Sequence, residues 1–339
     1  MPIKSRAGYL AVTGAALEAI IIIILESIVA AIFLRYYDII NSEGPTRGIP
    51  VYLIIFIGAQ IFLIFLMTDA ASVASSLLLK NIWHENTIQL IFSVIFNASV
   101  CLYSIFQYVQ MIGLVRRNVG GIVMSEADEK SLKGILLVIP IILGVFSILF
   151  AICAYKMYLE FGWKMYKRIG ADPKMRSMYR TYQIFLTFLK LDLFFVLGFG
   201  IQFLVLVISP SDPEFGITIA AIPIMLIVFA FAAYGLKRED VWMMRMFCVG
   251  LVTAMAYFVF KLVRIYQRTA KYADTKYYLT FFACLSLGVV FFTLINAIMC
   301  YHNFGKGLKQ HILITRQKRK SATSNLDTTG PMSEVDGSV

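Results

Sequence analysis

Charged residues are scarce in this sequence. Only 15% of its 339 residues are Asp, Glu, Lys or Arg, whereas soluble domains carry about 25%. Hydrophobic residues make up 59% of the chain, and its mean hydropathy is +0.77. A chain of this composition has too few polar residues to cover the surface of a soluble domain of its length, so we expect an integral membrane protein.

Cysteine and histidine, common ligands of transition metals, are also few. The five cysteines all lie in apolar segments and form no CxxC pair, so the sequence predicts neither a disulfide framework nor a zinc site. The three histidines have no ligand spacing to each other. No HExxH, GxSxG or P-loop motif occurs. We therefore expect no catalytic residue, no cofactor, no metal site and a protein that is not an enzyme.

The apolar residues that dominate the chain occur in blocks of about twenty or more, the length of a membrane-crossing helix. The first block is too long for a signal peptide, contains Glu18 and Glu26, and is followed by no cleavage site, so we interpret it as a retained helix. The sequence predicts an all-α integral membrane bundle of about eight transmembrane helices, with seven as the alternative. The predicted spans are approximately 9–34, 51–79, 88–115, 135–158, 183–208, 216–236, 243–265 and 278–302.

The distribution of basic residues predicts the orientation of the bundle. With both termini in the cytosol, 19 of the 31 Lys and Arg residues face the cytosol and 10 face the other side, while Lys190 and Lys261 lie inside spans. Cytosolic loops of membrane proteins are enriched in Lys and Arg, so this orientation is favoured. The segment 116–133 opposes it, because it places four basic residues on the lumenal side.

The excess of basic residues, 31 against 20 acidic ones, indicates lipid rather than nucleic acid as the partner. These residues flank the spans, where they contact anionic head groups of the cytosolic leaflet. The candidate lipid contacts are Lys164, Lys167, Arg168, Lys306 and Lys309. We expect two regions, a polytopic transmembrane helical domain at 1–310 and a disordered cytosolic tail, first basic and then polar, at 311–339.

Four ionisable residues fall inside predicted spans at a similar depth in the cytosolic half: Glu18, Asp69, Lys190 and Asp192. A charge in hydrocarbon costs roughly 2.5–3.5 kcal/mol on insertion scales, so such groups face the bundle interior and seek partners. Lys190 is the only basic member, and we expect it to pair with Asp69 or Glu18. Two interpretations remain open: a buried ion pair that fixes helix register, with surplus carboxyls protonated, or a pathway for ions or protons.

Two segments carry a family resemblance: QIFLTFLKLDLFFVLGFGIQFL (183–204) and LINAIMCYHNFGKGLK (294–309). They resemble an uncharacterised family of fungal multi-pass Golgi apparatus membrane proteins, and the resemblance extends over most of the chain to about residue 310. It implies a Golgi membrane location and no catalytic residues.

These observations favour a non-enzymatic multi-pass membrane protein of the Golgi or secretory pathway, with a scaffold or trafficking role. The alternative is a transporter of small solutes or ions, including a proton-coupled one, and a receptor-like membrane sensor is the third hypothesis. A wet cavity around the intramembrane charges would favour transport, and a dry, fully paired one would favour the scaffold.

Overall fold

The computed structural model describes residues 6–35, 48–71, 87–116, 125–169, 173–206, 213–267 and 276–306. Within these ranges the chain forms eight α-helices and no strand, which confirms the predicted all-α class. The helices are α1 (Arg6–Arg35), α2 (Gly48–Ala71), α3 (Thr87–Arg116), α4 (Glu126–Ile169), α5 (Pro173–Leu206), α6 (Pro213–Arg238), α7 (Val241–Gln267) and α8 (Lys276–Asn303).

The helices have the length and surface of a membrane bundle. Among the described residues, six of them are long and apolar enough to cross a bilayer: α1, α3, α4, α5, α7 and α8. In α2 the described side chains give a shorter apolar segment, Ile54–Ala70. Large apolar side chains such as Leu17, Ile20 and Ile24 lie on the outside of the bundle, where a soluble helix would carry polar residues. The count of eight spans stays a prediction.

Two helices extend nine residues or more beyond the spans that the sequence predicts. Helix α4 begins at Glu126 instead of residue 135 and ends at Ile169 instead of residue 158, and α5 begins at Pro173 instead of residue 183. Three acidic residues in the first turn of α4 favour the positive end of the helix dipole, and proline suits the first position of α5. Large parts of the predicted loops 116–133 and 159–180 are therefore helical, because a helix does not end where hydrocarbon ends.

The eight helices form two rings of four. In the first half, α1 and α3 each contact both α2 and α4. In the second half, α5 and α7 each contact both α6 and α8. The halves meet where α5 contacts α2 and α3, and where α8 contacts α3. Each ring has an axis toward which four helices direct side chains.

An aromatic seam joins the two halves along α3 and α5. Phe92 packs on Phe188 with ring centroids 4.9 Å apart, and Phe96 packs on Phe194 at 4.8 Å. Contacts advance in the same direction on both helices, so α3 and α5 are parallel, as a chain that alternates up and down requires. Edge-to-face pairs of this kind add about 0.5–1.5 kcal/mol each beyond their buried area.

The axis of the second half is aromatic. Phe199 of α5 packs on Phe258 of α7 with centroids 5.3 Å apart. Lys261 of α7 is only 5% exposed, and its Nζ lies 4.0 Å from the centroid of the Phe203 ring. Lys261 therefore points into the bundle and does not extend to the membrane surface. A ring face attracts a cation, which makes an inward position favourable.

Candidate functional site

Lys190 of α5 lies between two acceptors from the other half of the molecule. Its Nζ donates to Asp69 Oδ2 of α2 at 2.6 Å and to Gln89 Oε1 of α3 at 2.8 Å. Gln89 Nε2 in turn donates to the main-chain oxygen of Leu66 at 3.0 Å. The side chains of Lys190 and Asp69 are 16% and 11% exposed. Of the two predicted partners, Asp69 is therefore the one that the structure places beside Lys190.

This three-helix contact connects the two halves. Asp69 and Gln89 belong to the first half and Lys190 to the second. If the halves move relative to each other, these hydrogen bonds must break or rearrange. The ammonium meets a carboxylate and an amide oxygen, and the amide nitrogen is also bonded. Such complete pairing offsets much of the cost of removing the charges from water.

Asp192 occupies a different contact, on the opposite side of α5. Its Oδ2 accepts a hydrogen bond from Thr293 Oγ1 of α8 at 2.6 Å, and the side chain is fully buried. The other carboxylate oxygen, Oδ1, accepts no hydrogen bond from the described residues. Residues that are two positions apart in a helix point in directions about 200° apart around its axis. Lys190 and Asp192 therefore cannot face the same neighbouring helix.

Glu18 of α1 is also fully buried, within the first half. The side chain of Asn97 and the thiol of Cys101, both on α3, approach its carboxyl group. The Asn97 amide also donates to Ser147 Oγ of α4 at 3.2 Å. Neither carboxylate oxygen of Glu18 has hydrogen-bond geometry to any residue in the described ranges.

Glu26 has an equivalent place two turns further along α1. Gln107 Nε2 of α3 donates to its Oε2 at 3.1 Å, and both side chains are buried. Among the residues that the structure covers, no hydrogen-bond partner is found for Glu26 Oε1 or for Gln107 Oε1. Glu26 was not among the predicted site residues, because its depth differs from that of the others. Its eight-residue separation from Glu18, about 80° around the helix, would have placed both acids on one face.

The face of α3 that meets these groups carries a stripe of buried polar side chains. At 100° per residue, the members of this α3 stripe fall within a sector of about 80°. They are Gln89, Ser93, Asn97, Ser104 and Gln107. Asp69 and Lys190 meet the stripe at its first residue, Glu18 at its third and Glu26 at its last.

The four predicted site residues therefore do not form one cluster within the described ranges. Lys190 and Asp69 meet each other, Asp192 meets α8, and Glu18 meets α3 at Asn97, eight residues beyond Gln89. Eight residues correspond to about 12 Å along α3. Counting residues from a predicted membrane edge overlooked both the true start of α5 and the direction in which each side chain points.

Most of the predicted lipid contacts lie outside the described side chains. The helix α4 includes Lys164, Lys167 and Arg168, but their side chains are not described, and Lys309 lies beyond residue 306. Lys306 is exposed just after α8. The predicted tail at 311–339 and the domain boundary at residue 310 also lie outside the described residues.

The chemistry available inside the bundle is that of carboxyl, amide and ammonium groups. The described residues include no group of three or more His, Cys, Asp or Glu side chains that would hold a metal ion. Carboxyl groups beside amides bind and release protons without any further group. The buried site residues are therefore suited to proton binding.

Comparison with known proteins gives one informative match. Over 320 residues the chain is 28% identical to a UPF0658 Golgi apparatus membrane protein of Schizosaccharomyces pombe, covering 88% of this chain and 87% of the relative. No family model matches the chain, and no solved structure does. The resemblance to fungal Golgi membrane proteins that segments 183–204 and 294–309 indicated is confirmed.

Proposed function

We propose that this chain is a multi-pass Golgi membrane protein that transports a small solute or ion together with protons. The Golgi location is supported by the name of the fission-yeast relative. The Golgi lumen is acidic relative to the cytosol, so a proton gradient is present across that membrane. Transport was the alternative at the sequence level, and the geometry of the buried acids now favours it.

The observation that carries this proposal is the state of Glu18. Its side chain is completely buried, the Asn97 side chain lies beside its carboxyl group, and within the described structure no basic residue or further donor meets either carboxylate oxygen in hydrogen-bond geometry. An acid with a purely structural role would be paired as Asp69 is, since an unpaired charge in hydrocarbon costs several kcal/mol. A carboxyl group that keeps its bonding capacity inside a membrane is suited to taking up and releasing a proton.

The other ionisable groups take complementary roles in this proposal. The Lys190–Asp69–Gln89 contact links the halves, so its rearrangement would accompany any movement of one half against the other. Asp192 retains one open oxygen beside Thr293 and is a second proton-binding candidate. We further propose cytosolic termini, non-enzymatic action and contact of Lys306 with anionic lipid head groups.

A scaffold or trafficking role is the second candidate, and a specific observation favours it. Lys190 is held by two acceptors from two helices, and the aromatic seam packs the two halves together. Such an interface suits a static body that presents its cytosolic surface to partners. In that case the bundle conducts nothing, and the buried acids stay permanently protonated.

The test is proton movement in vesicles that contain the purified full-length protein. A pH-sensitive dye inside the vesicles reports proton influx when a potassium diffusion potential, negative inside, is imposed. We expect faster influx than in protein-free vesicles, and a loss of at least tenfold when Glu18→Gln and Asp192→Asn are combined. Glu129→Gln is the matched control, because Glu129 lies in the first turn of α4 and pairs with Lys133.

The outcomes separate the two candidates. Influx that falls in the double variant and persists in the control supports transport. Influx equal to that of protein-free vesicles, with a panel of monovalent ions and small solutes supplied on either side, rejects it and leaves the scaffold.

A further inference from the structure

We propose that Glu18 and Glu26 are two successive proton-binding sites on one route along the axis of the first half. This inference rests on the proposed transport function and assigns its pathway. It adds Glu26 and Gln107 to the functional residues and excludes the axis of the second half as a conduit.

The two acids lie at the centre of the first ring of helices. Helix α1 packs against α2 and α4, whereas α3 lies diagonally opposite. Glu26 nevertheless reaches Gln107 of α3, and Glu18 is approached by Asn97 of the same helix. Side chains that join diagonal helices must cross the axis of the ring. Both acids therefore lie on that axis.

The interval between the two acids has a polar lining. Glu18 and Glu26 are eight residues apart, about 12 Å along α1. Asn97 and Gln107 face them from α3, and the buried hydroxyl of Ser104 lies between those two on the α3 stripe. Each carboxyl group would take a proton from one side and release it to the other, while the amides stabilise either protonation state.

Helix α2 of the ring adds a polar side chain at the height of Glu18. Gln60 of α2 is buried, and none of the residues described here bonds either atom of its amide. The ring pairs Phe56–Tyr103 and Phe62–Phe96 bracket Gln60, which places it level with Asn97. Unbonded polar atoms of Gln60, Asn97 and Glu18 thus share one height.

The charged surroundings of the route are simple. Among the described residues, Cys101 of α3 is a titratable group that faces Glu18, while α2 and α4 contribute Gln60 and Ser147 at this height, neither of which titrates. At the far end of α1, Arg35 and Asp128 lie 3.9 Å apart on the surface. At the near end, Asp69 and Lys190 neutralise each other.

The second half offers no comparable route in its described residues. Its axis is filled by the rings of Phe199, Phe203 and Phe258, and its buried cation, Lys261, lies over one of them. Asp192 bonds Thr293 of the neighbouring helix α8, so it lies between adjacent helices instead of on the axis. The chemistry of the two axes therefore assigns the route to the first half.

Infrared spectroscopy of the purified full-length protein tests the inference without any transport assay. A protonated carboxylic acid has a C=O stretching band separate from amide bands, and this band shifts in heavy water when the proton exchanges. We expect one such band to be lost in Glu18→Gln and another to be lost in Glu26→Gln, and both should shift on transfer of the wild type to heavy water. Bands that do not shift would mean dry, permanently protonated acids and would overturn the route.

Proton influx in vesicles then separates failure of this inference from failure of the proposed function. Glu18→Gln and Glu26→Gln should each slow influx at least tenfold, whereas the control variant Ser99→Ala should retain it within twofold. Ser99→Ala is the matched control on α3, because Ser99 lies off the stripe and bonds its own helix. If the wild type is active and the Glu26→Gln variant is equally active, the proposed route is contradicted but the transport function is not. An inactive wild type contradicts the transport function, and the heavy-water shift then decides whether the acids exchange protons.

Discussion

Removing the ammonium of Lys190 should destabilise the protein strongly. Lys190→Met leaves the Asp69 carboxylate in a site that is almost closed, since the two side chains are only 16% and 11% exposed. Breaking a buried pair costs about 3–5 kcal/mol, and the remaining exposure favours the lower end, about 3 kcal/mol. Gln89 loses one bond as well. On globular scaling this loss lowers the melting temperature by about 4 °C for a chain of this length.

A double-mutant cycle assigns that loss to the pair. Asp69→Asn alone should cost a similar amount, because it strands the ammonium. The combined variant should cost no more than Lys190→Met alone, a coupling of about 3 kcal/mol. The assay is thermal unfolding in detergent, followed by tryptophan fluorescence and by the loss of a monodisperse peak in chromatography.

The surface pair Lys133–Glu129 supplies the control. These residues are one helical turn apart on α4, with side chains 41% and 34% exposed. Lys133→Met should change stability by at most about 0.5 kcal/mol, because exposed pairs contribute little. Equal effects of Lys190→Met and Lys133→Met, or additive effects in the cycle, would refute the argument that the inter-half contact is buried and coupled.

Three further predictions concern packing and topology. Gly198→Ala should lower the melting temperature, since a Cβ there would lie 2.7 Å from a phenylalanine ring of α8, whereas Gly200→Ala on the same helix meets open space and should be neutral or stabilising; equal melting points would contradict this close approach of α5 and α8. Asp240→Ala should cost about 0.5–2 kcal/mol, because the carboxylate caps the start of α7 through two main-chain amides; an unchanged melting temperature would argue against the cap. Cysteines introduced at Ser125 and Ser177, both exposed near helix starts, should react with an impermeant thiol reagent from opposite sides of sealed vesicles, and labelling from one side would end the predicted topology.

The sequence was sufficient to predict the class of the fold and the presence of buried charges. Apolar blocks of membrane length predict helices directly. In lipid every main-chain N–H and C=O group needs a hydrogen bond within the protein, and a helix forms these bonds within a single segment. Charge scarcity made Lys190 and Asp69 conspicuous. Few acidic residues lie inside the predicted spans, so the sequence left two candidate partners for Lys190, Asp69 and Glu18. Only the packing of α2 against α5 shows that the partner is Asp69.

Other parts of the site depend on helix arrangement and could not be predicted. Gln89 and Gln107 are uncharged, so nothing in their local sequence distinguishes a bonded amide from an idle one. The diagonal contact between α1 and α3 exists only because four helices close into a ring. Lys261 illustrates the same limit, since its choice between the membrane surface and an aromatic ring depends on where α5 places Phe203.

The measurement that bears most directly on the central claim is the combined determination of proton influx and melting temperature for Glu18→Gln. Glutamine keeps the size of the side chain and removes only the exchangeable carboxyl proton. Because the Asn97 side chain is the polar group that approaches Glu18 and a glutamine amide can keep that contact, the replacement should leave the melting temperature within about 2 °C of the wild type, and proton influx should fall at least tenfold. A clear drop in melting temperature with unchanged influx would show that Glu18 is a structural residue and would contradict its role as a proton-binding site.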